Sequence, residues 1–163
     1  TRDCVQVISY NPSLPPGMSV AGCSVAVASI TSRSTMRNVL FRARLVASER
    51  VESGPATGQG LDALGFRGDT HIVLVGTEDT DFLKARLKST VGFPESPYPF
   101  AEDAVTIQLL EAKAGETLSL HFVVAWNKLP EPEDCSCWFA VDQAHTAIQS
   151  ALGANQSLQA RRP

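Results

Sequence analysis

Residues 105–126 carry two period-two alternations back to back. In V-T-I-Q-L, Val105, Ile107 and Leu109 alternate with Thr106 and Gln108. In L-S-L-H-F-V-V-A-W, Leu118, Leu120, Phe122, Val124 and Trp126 alternate with Ser119, His121, Val123 and Ala125. Successive side chains of a strand point to opposite faces, so this pattern is that of two strands. The segment between them holds Gly115, which can take the positive φ of a short hairpin loop. A two-stranded hairpin is not stable alone, so this one has to be covered by a second layer.

The rest of the chain supplies that layer. Strands are expected at 4–10, 20–31, 39–47 and 70–76, with 11–17 (N-P-S-L-P-P-G) broken by its prolines. In the third, Val39, Phe41, Ala43, Leu45 and Ala47 face inward and Arg42 and Arg44 outward. Residues 48–69 are Gly-rich, with little periodicity; 61–64 could form one helical turn, and the rest reads as a long loop. A helix follows over 78–92, with Thr77, or Thr80 with Asp81, at its start, Leu83, Leu87 and Val91 as its apolar stripe, and Gly92 as its stop. A last strand is expected at 135–141, with Cys137, Phe139 and Val141 on one face. Asp142 then caps a C-terminal helix carrying Ala144, Ile148, Ala151 and Leu152, weakened by Gly153. The predicted fold class is mainly β with two helices (α+β): a seven-stranded antiparallel sandwich or squashed barrel, one helix after strand four and one at the C-terminus. Residues 1–153 form one β-rich domain, and 154–163 a polar tail or the start of a longer helix.

Composition narrows the class. Hydrophobic residues make up 44% of the 163 and charged residues 19%, a globular balance. No apolar run approaches the roughly 18 residues of a membrane span. The net charge is −3, unevenly spread: 1–67 hold seven arginines and four acids, and 68–142 hold thirteen acids and five basic residues. The sequence opens on Thr1 with no signal-like stretch, as expected where a true start has been removed, and compartment is not readable from targeting. Four cysteines allow three pairings. Cys135 and Cys137 are too close on one strand face to bond each other. Buried free thiols in a reducing compartment are the simpler account, which favours a cytoplasmic or nuclear setting; paired cysteines in a secreted protein stay open.

No catalytic, cofactor-binding or metal-binding residue is assigned. Residues 58–65 (G-Q-G-L-D-A-L-G) misplace the third glycine of a dinucleotide loop, and no strand leads into them. His71, His121 and His145 lack partners at ligand spacing, Cys135-x-Cys137 is not C-x-x-C, and no G-x-S-x-G is present. Arg67-Gly68-Asp69 is the adhesion tripeptide, and Asn155-Gln156-Ser157 a glycosylation sequon, relevant to a secreted protein. Arg33, Arg37, Arg42, Arg44 and Arg50 form a basic stretch almost without aromatics, which speaks against base stacking and leaves nucleic acid unsupported. Arg42 and Arg44 are candidates for contact with an acidic protein partner or a phosphate. In the last helix Ile148, Ala151, Asn155 and Leu158 fall at a, d, a, d of a heptad, so Ile148 and Asn155 are candidate dimer contacts.

The element order, with an insertion at 78–92 and the exit C-S-C-W-F-A-V-D followed by A-H-T-A-I-Q-S-A-L-G-A-N-Q-S-L-Q, resembles the head domains shared by the end-joining scaffold proteins of DNA double-strand-break repair and the centriolar cartwheel protein. The 48–69 loop and Gly153 depart from that pattern. The resemblance implies a non-catalytic interaction or oligomerisation head of a scaffold protein, running into a dimerising coiled coil. It further implies self-association through a loop between late strands, here 127–134. Leu129 would be the anchor there, and Glu131, Glu133 and Asp134 would meet the Arg33–Arg50 stretch of a neighbouring copy. Two other readings stand beside it: a secreted or virion-surface β-sandwich binding a receptor, and a small enzyme with a site invisible in sequence.

Overall fold

The computed structural model describes residues 4–46, 51–56, 58, 61–87, 91–95, 103–133 and 135–159; the side chains of Cys4 and of 152–159 lie outside that description. Its strands are β1 (Cys4–Tyr10), β2 (Gly22–Thr31), β3 (Met36–Arg44), β4 (Glu52–Pro55), β5 (Leu61–Arg67), β6 (His71–Glu78), β7 (Val91–Gly92), β8 (Ala104–Ala112) and β9 (Thr117–Lys128). Two helices, α1 (Thr80–Leu87) and α2 (Ser136–Gln159), complete it. The chain is mainly β, as its alternations predict.

Two antiparallel sheets stack, and a helix covers the larger one. The large sheet has the order β1-β2-β9-β6-β5-β4 and the small one β3-β8-β7. The hairpin strands therefore part company: β9 is central in the large sheet, whereas β8 is the middle of the small one. Leu118 and Leu120 of β9 pack with Phe41, Ile107 and Leu109 of the small sheet, and Leu83 and Leu87 of α1 close the same cluster. On its other face, Val123 and Ala125 pack with Cys137, Ala140, Val141, Ala144 and Ile148 of α2. Both faces of β9 are covered, so its second alternating set is buried too, with Val123 and Ala125 beside the buried polar His121 and Asn127.

Two glycines permit this layering. A Cβ on Gly76 would stand 2.6 Å from Val141 Cγ1, so the missing side chain lets α2 lie directly on β6. A Cβ on Gly22 would overlap the Trp126 ring, which lies across its cross-strand partner Gly22. Asn38 takes φ 52°, and β3 changes face there: Val39 and Phe41 pack inward on one side of it and Met36 on the other.

Several expectations are corrected. The stretch 48–69 is not a loop throughout, since it contains β4 and β5. Leu61 and Ala63 pack under α2, and Leu64 and Phe66 pack between the sheets, so burial on both faces erased the alternation. The expected strand at 135–141 is instead the first two turns of α2. Cys137, Ala140, Val141 and Ala144 are buried at helical spacing, while Phe139 is 49% exposed. Asp142 is thus inside the helix, not its cap. The helix start is served by Glu131, whose carboxylate accepts from the Cys137 N–H at 2.9 Å. Asp79 caps α1, its Oδ1 accepting from the Phe82 N–H at 2.7 Å. Val91 and Gly92 pair with Ala112 and Glu111 as β7, not as the end of that helix. With β4, β5 and β7 added and 135–141 removed, the described residues form nine strands rather than seven. The backbone of α2 also runs through Gly153 to Gln159.

Candidate functional site

The densest polar constellation lies where β6, β9, α1 and α2 meet. Glu78 ends β6 and is fully buried. Arg86 of α1 reaches it with two donors, Nε to Oε2 at 3.1 Å and Nη2 to Oε1, and also gives Nη2 to the Ser119 carbonyl at 2.8 Å. Beside them the rings of His121 and His145 meet edge to edge, centroids 5.1 Å apart and planes tilted by 32°, with His121 Nε2 and His145 Nδ1 hydrogen-bonded at 2.9 Å. Thr77 donates its hydroxyl to the His121 carbonyl at 2.7 Å. Burial, then His145, then Arg86 hold the His121 imidazolium down to a pKa of about 3. Neutral histidine, carboxylate and guanidinium are the parts of an acid–base site. Here Glu78, His121 and His145 have no exposed surface, so the network ties layers together and meets no substrate in this conformation. His121 Nδ1 has no hydrogen-bond partner among the described residues.

Burial also governs the thiols. Cys23, Cys135 and Cys137 are free. Desolvation raises Cys23 to a pKa of about 11, and desolvation with the neighbouring Glu131 raises Cys137 as well, so both stay protonated and poorly nucleophilic. Among the described residues no three His, Cys, Asp or Glu converge on a metal-sized point.

The partner residues expected from sequence are not brought together. Arg42 and Arg44 do share the outward face of β3. Arg42 Nε donates to Thr106 Oγ1 at 3.3 Å, and Arg44 Nε sits 2.5 Å from Asp103 Oδ2. Ile148 lies in the opposite layer, on the face of α2 that packs against the large sheet, at 6% exposure, so within the chain its side chain is already covered. Asn155 falls within α2, but its side chain lies outside the described residues. Leu129 is half-buried after β9, its N–H donated to the Thr70 carbonyl at 2.8 Å, so it is tied to the β5–β6 turn. That turn carries Arg67 and Asp69, both exposed.

One flank of the sandwich was not foreseen. In β1, Val5, Val7 and Ile8 are 63%, 63% and 54% exposed and Tyr10 is 45% exposed. β1 pairs only with β2 among the described strands, and C-V-Q-V-I-S-Y carries no charge. Val5 and Val7 stand opposite Ile30 and Ala28 and share their inward face, yet the small sheet ends at β3, one strand short of covering them. Along the same flank a cavity of about 220 Å³ opens between the sheets, with Ser9 and Ala26 on one wall, Ala43 and Leu45 on the other, and Phe122 and Val124 behind. The missing charge in β1 was the available signal, but its meaning depends on strand order.

No protein-family model matches the chain, and no curated protein does. Among solved structures, the chain is similar to one described as a putative kojibiose phosphorylase from human microbiome, with a TM-score of 0.52 and 10% sequence identity. The match covers 97% of this chain and 21% of that one, so the chain spans about a fifth of the length of that protein. At this identity the likeness is one of fold.

Proposed function

We propose that the chain is a non-catalytic interaction module that joins to a second copy through β1. The carrying observation is the uncharged, apolar β1 edge, with which no further strand pairs among the described residues. Soluble proteins ordinarily blunt such edges with charge, proline or a covering loop, because an open row of N–H and C=O groups templates another strand. Here Val5, Val7, Ile8 and Tyr10 add apolar surface on both faces. A twofold axis through Val7 would set β1 antiparallel to its copy and continue the large sheet across the dimer, an isologous contact.

This is a form of the oligomerisation head that the resemblance to scaffold heads implies. A helix inserted among the strands and a long helix after the last one are in keeping with that role. A reducing, intracellular setting belongs to the proposal as well. One short strand pair buries less than the interface of a tight complex, so association on the order of micromolar is expected. Sedimentation equilibrium over a concentration series tests it: wild type should dimerise and Ile8→Lys should stay monomeric with an unchanged circular dichroism spectrum. A wild type that is monomeric at every concentration ends the reading.

A further inference from the structure

The lopsided sandwich leaves a second strand edge, in the other sheet. β3 ends the small sheet on the β1 side: its Ala43 lines the cavity together with Ala26 of β2 and Ser9 of β1, the edge strand of the large sheet. No described strand pairs with the outer edge of β3. A strand added there would lie over Val5 and Val7 and along the mouth of the 220 Å³ cavity.

We propose that this flank binds an extended segment of a different protein, added to β3 as a fourth strand, with apolar and acidic residues alternating along it. The inward set must be apolar, because it would cover Val5 and Val7. One of its members should be large, because the cavity walls at Ser9, Ala26 and Ala43 are short side chains around an unfilled volume. The outward set would stand beside Leu40, Arg42 and Arg44. Arg44 is matched by Asp103, whereas among the described residues the exposed Arg42 meets only the neutral Thr106 hydroxyl, so a carboxylate on the new strand would make a cross-strand charge pair. Backbone hydrogen bonds supply affinity in such strand addition, and the alternate side chains supply choice of partner. A second copy's β1 does not fit the part, since C-V-Q-V-I-S-Y has no acid to set against Arg42.

The inference rests on the interaction-module reading but uses a different edge, which separates their tests. The probe is an acetylated, amidated peptide of alternating leucine and glutamate, as long as β3 at nine residues. It is added to the full chain at concentrations where the chain is monomeric. Fluorescence anisotropy should show binding that weakens with salt, and hydrogen exchange should slow at β3 amides pointing away from β8. Arg42→Glu should weaken binding about tenfold, and a leucine–lysine peptide should recover it on that variant. Self-association, by contrast, slows exchange at β1. No peptide binding, peptide protection at β1 instead of β3, or protection of β3 by the chain itself at high concentration would each overturn the proposal.

Discussion

His121 Nε2 lies 2.9 Å from His145 Nδ1, with both rings fully buried between β9 and α2. One nitrogen donates and the other accepts, an arrangement that two neutral rings satisfy. The groups around His121 are His145 from α2, Arg86 from α1 and, held by Arg86, Glu78 from β6.

That pair makes stability depend on pH in a stated direction. The folded chain holds His121 down to about 3, against an ordinary value of 6.5, so it binds fewer protons than the unfolded chain between those values. Stability is then full above about pH 6.5 and lost as pH falls through that window. The wild-type denaturant midpoint should drop between pH 7 and pH 5, above the range where most carboxylates titrate, and His121→Leu should flatten the drop. An identical slope in both proteins would place the proton uptake elsewhere.

Glu78 and Arg86 form an ion pair with side-chain exposures of 0% and 6%, a setting where losing one partner strands the other. Arg86→Met should cost about 3–5 kcal/mol by leaving a carboxylate in the interior. Glu78→Gln with Arg86→Met should cost less than Arg86→Met alone, because no buried charge remains. Urea unfolding of the three proteins reads both; a loss under about 1 kcal/mol for the single variant would mean that water reaches the site.

How much of this was legible depended on how many faces each element buries. β3 was readable because Phe41 and Ala43 point in while Arg42 and Arg44 point out, and the β8–β9 turn was marked by Gly115, which takes φ 82°. β5 was hidden because Leu61 and Ala63 serve one layer and Leu64 and Phe66 the other, leaving no alternation. The start of α2 was misread because S-C-W-F-A-V is rich in residues that favour strands, and only contact with β6 and β9 selects the helix. The open flank left only the missing charge of β1 as a trace: that β1 and β3 are edges on one side is a property of strand order, set by pairings as distant as Cys23 with Ala125.

Gly76 tests whether α2 is a layer of the fold. Gly76→Ala puts a methyl group 2.6 Å from Val141 Cγ1 and 2.9 Å from Leu61 Cδ1, so the helix must lift or its neighbours must shift. The expected cost is about 1–3 kcal/mol, and Gly76→Val should cost more. Thermal melts would show it, with tryptophan fluorescence reporting on Trp138, which packs at the edge of the same cluster. An alanine variant as stable as wild type would mean that α2 floats above β6.

Ile148 separates a core helix from a coiled coil. Its side chain is 6% exposed among Cys23, Val123 and Ala144, so truncation removes contacts inside one chain. Ile148→Ala should cost about 2–5 kcal/mol, as buried aliphatic truncations do. The cost should be the same at low and high protein concentration, because no second chain takes part. A helix–helix dimer would behave otherwise: its midpoint would rise with concentration in wild type, and the variant would lose that dependence. Denaturation of both proteins over a hundredfold concentration range, with Ile8→Lys as the background to suppress β1 pairing, distinguishes the two. A concentration-dependent loss at Ile148 on that background would return the residue to a dimer interface.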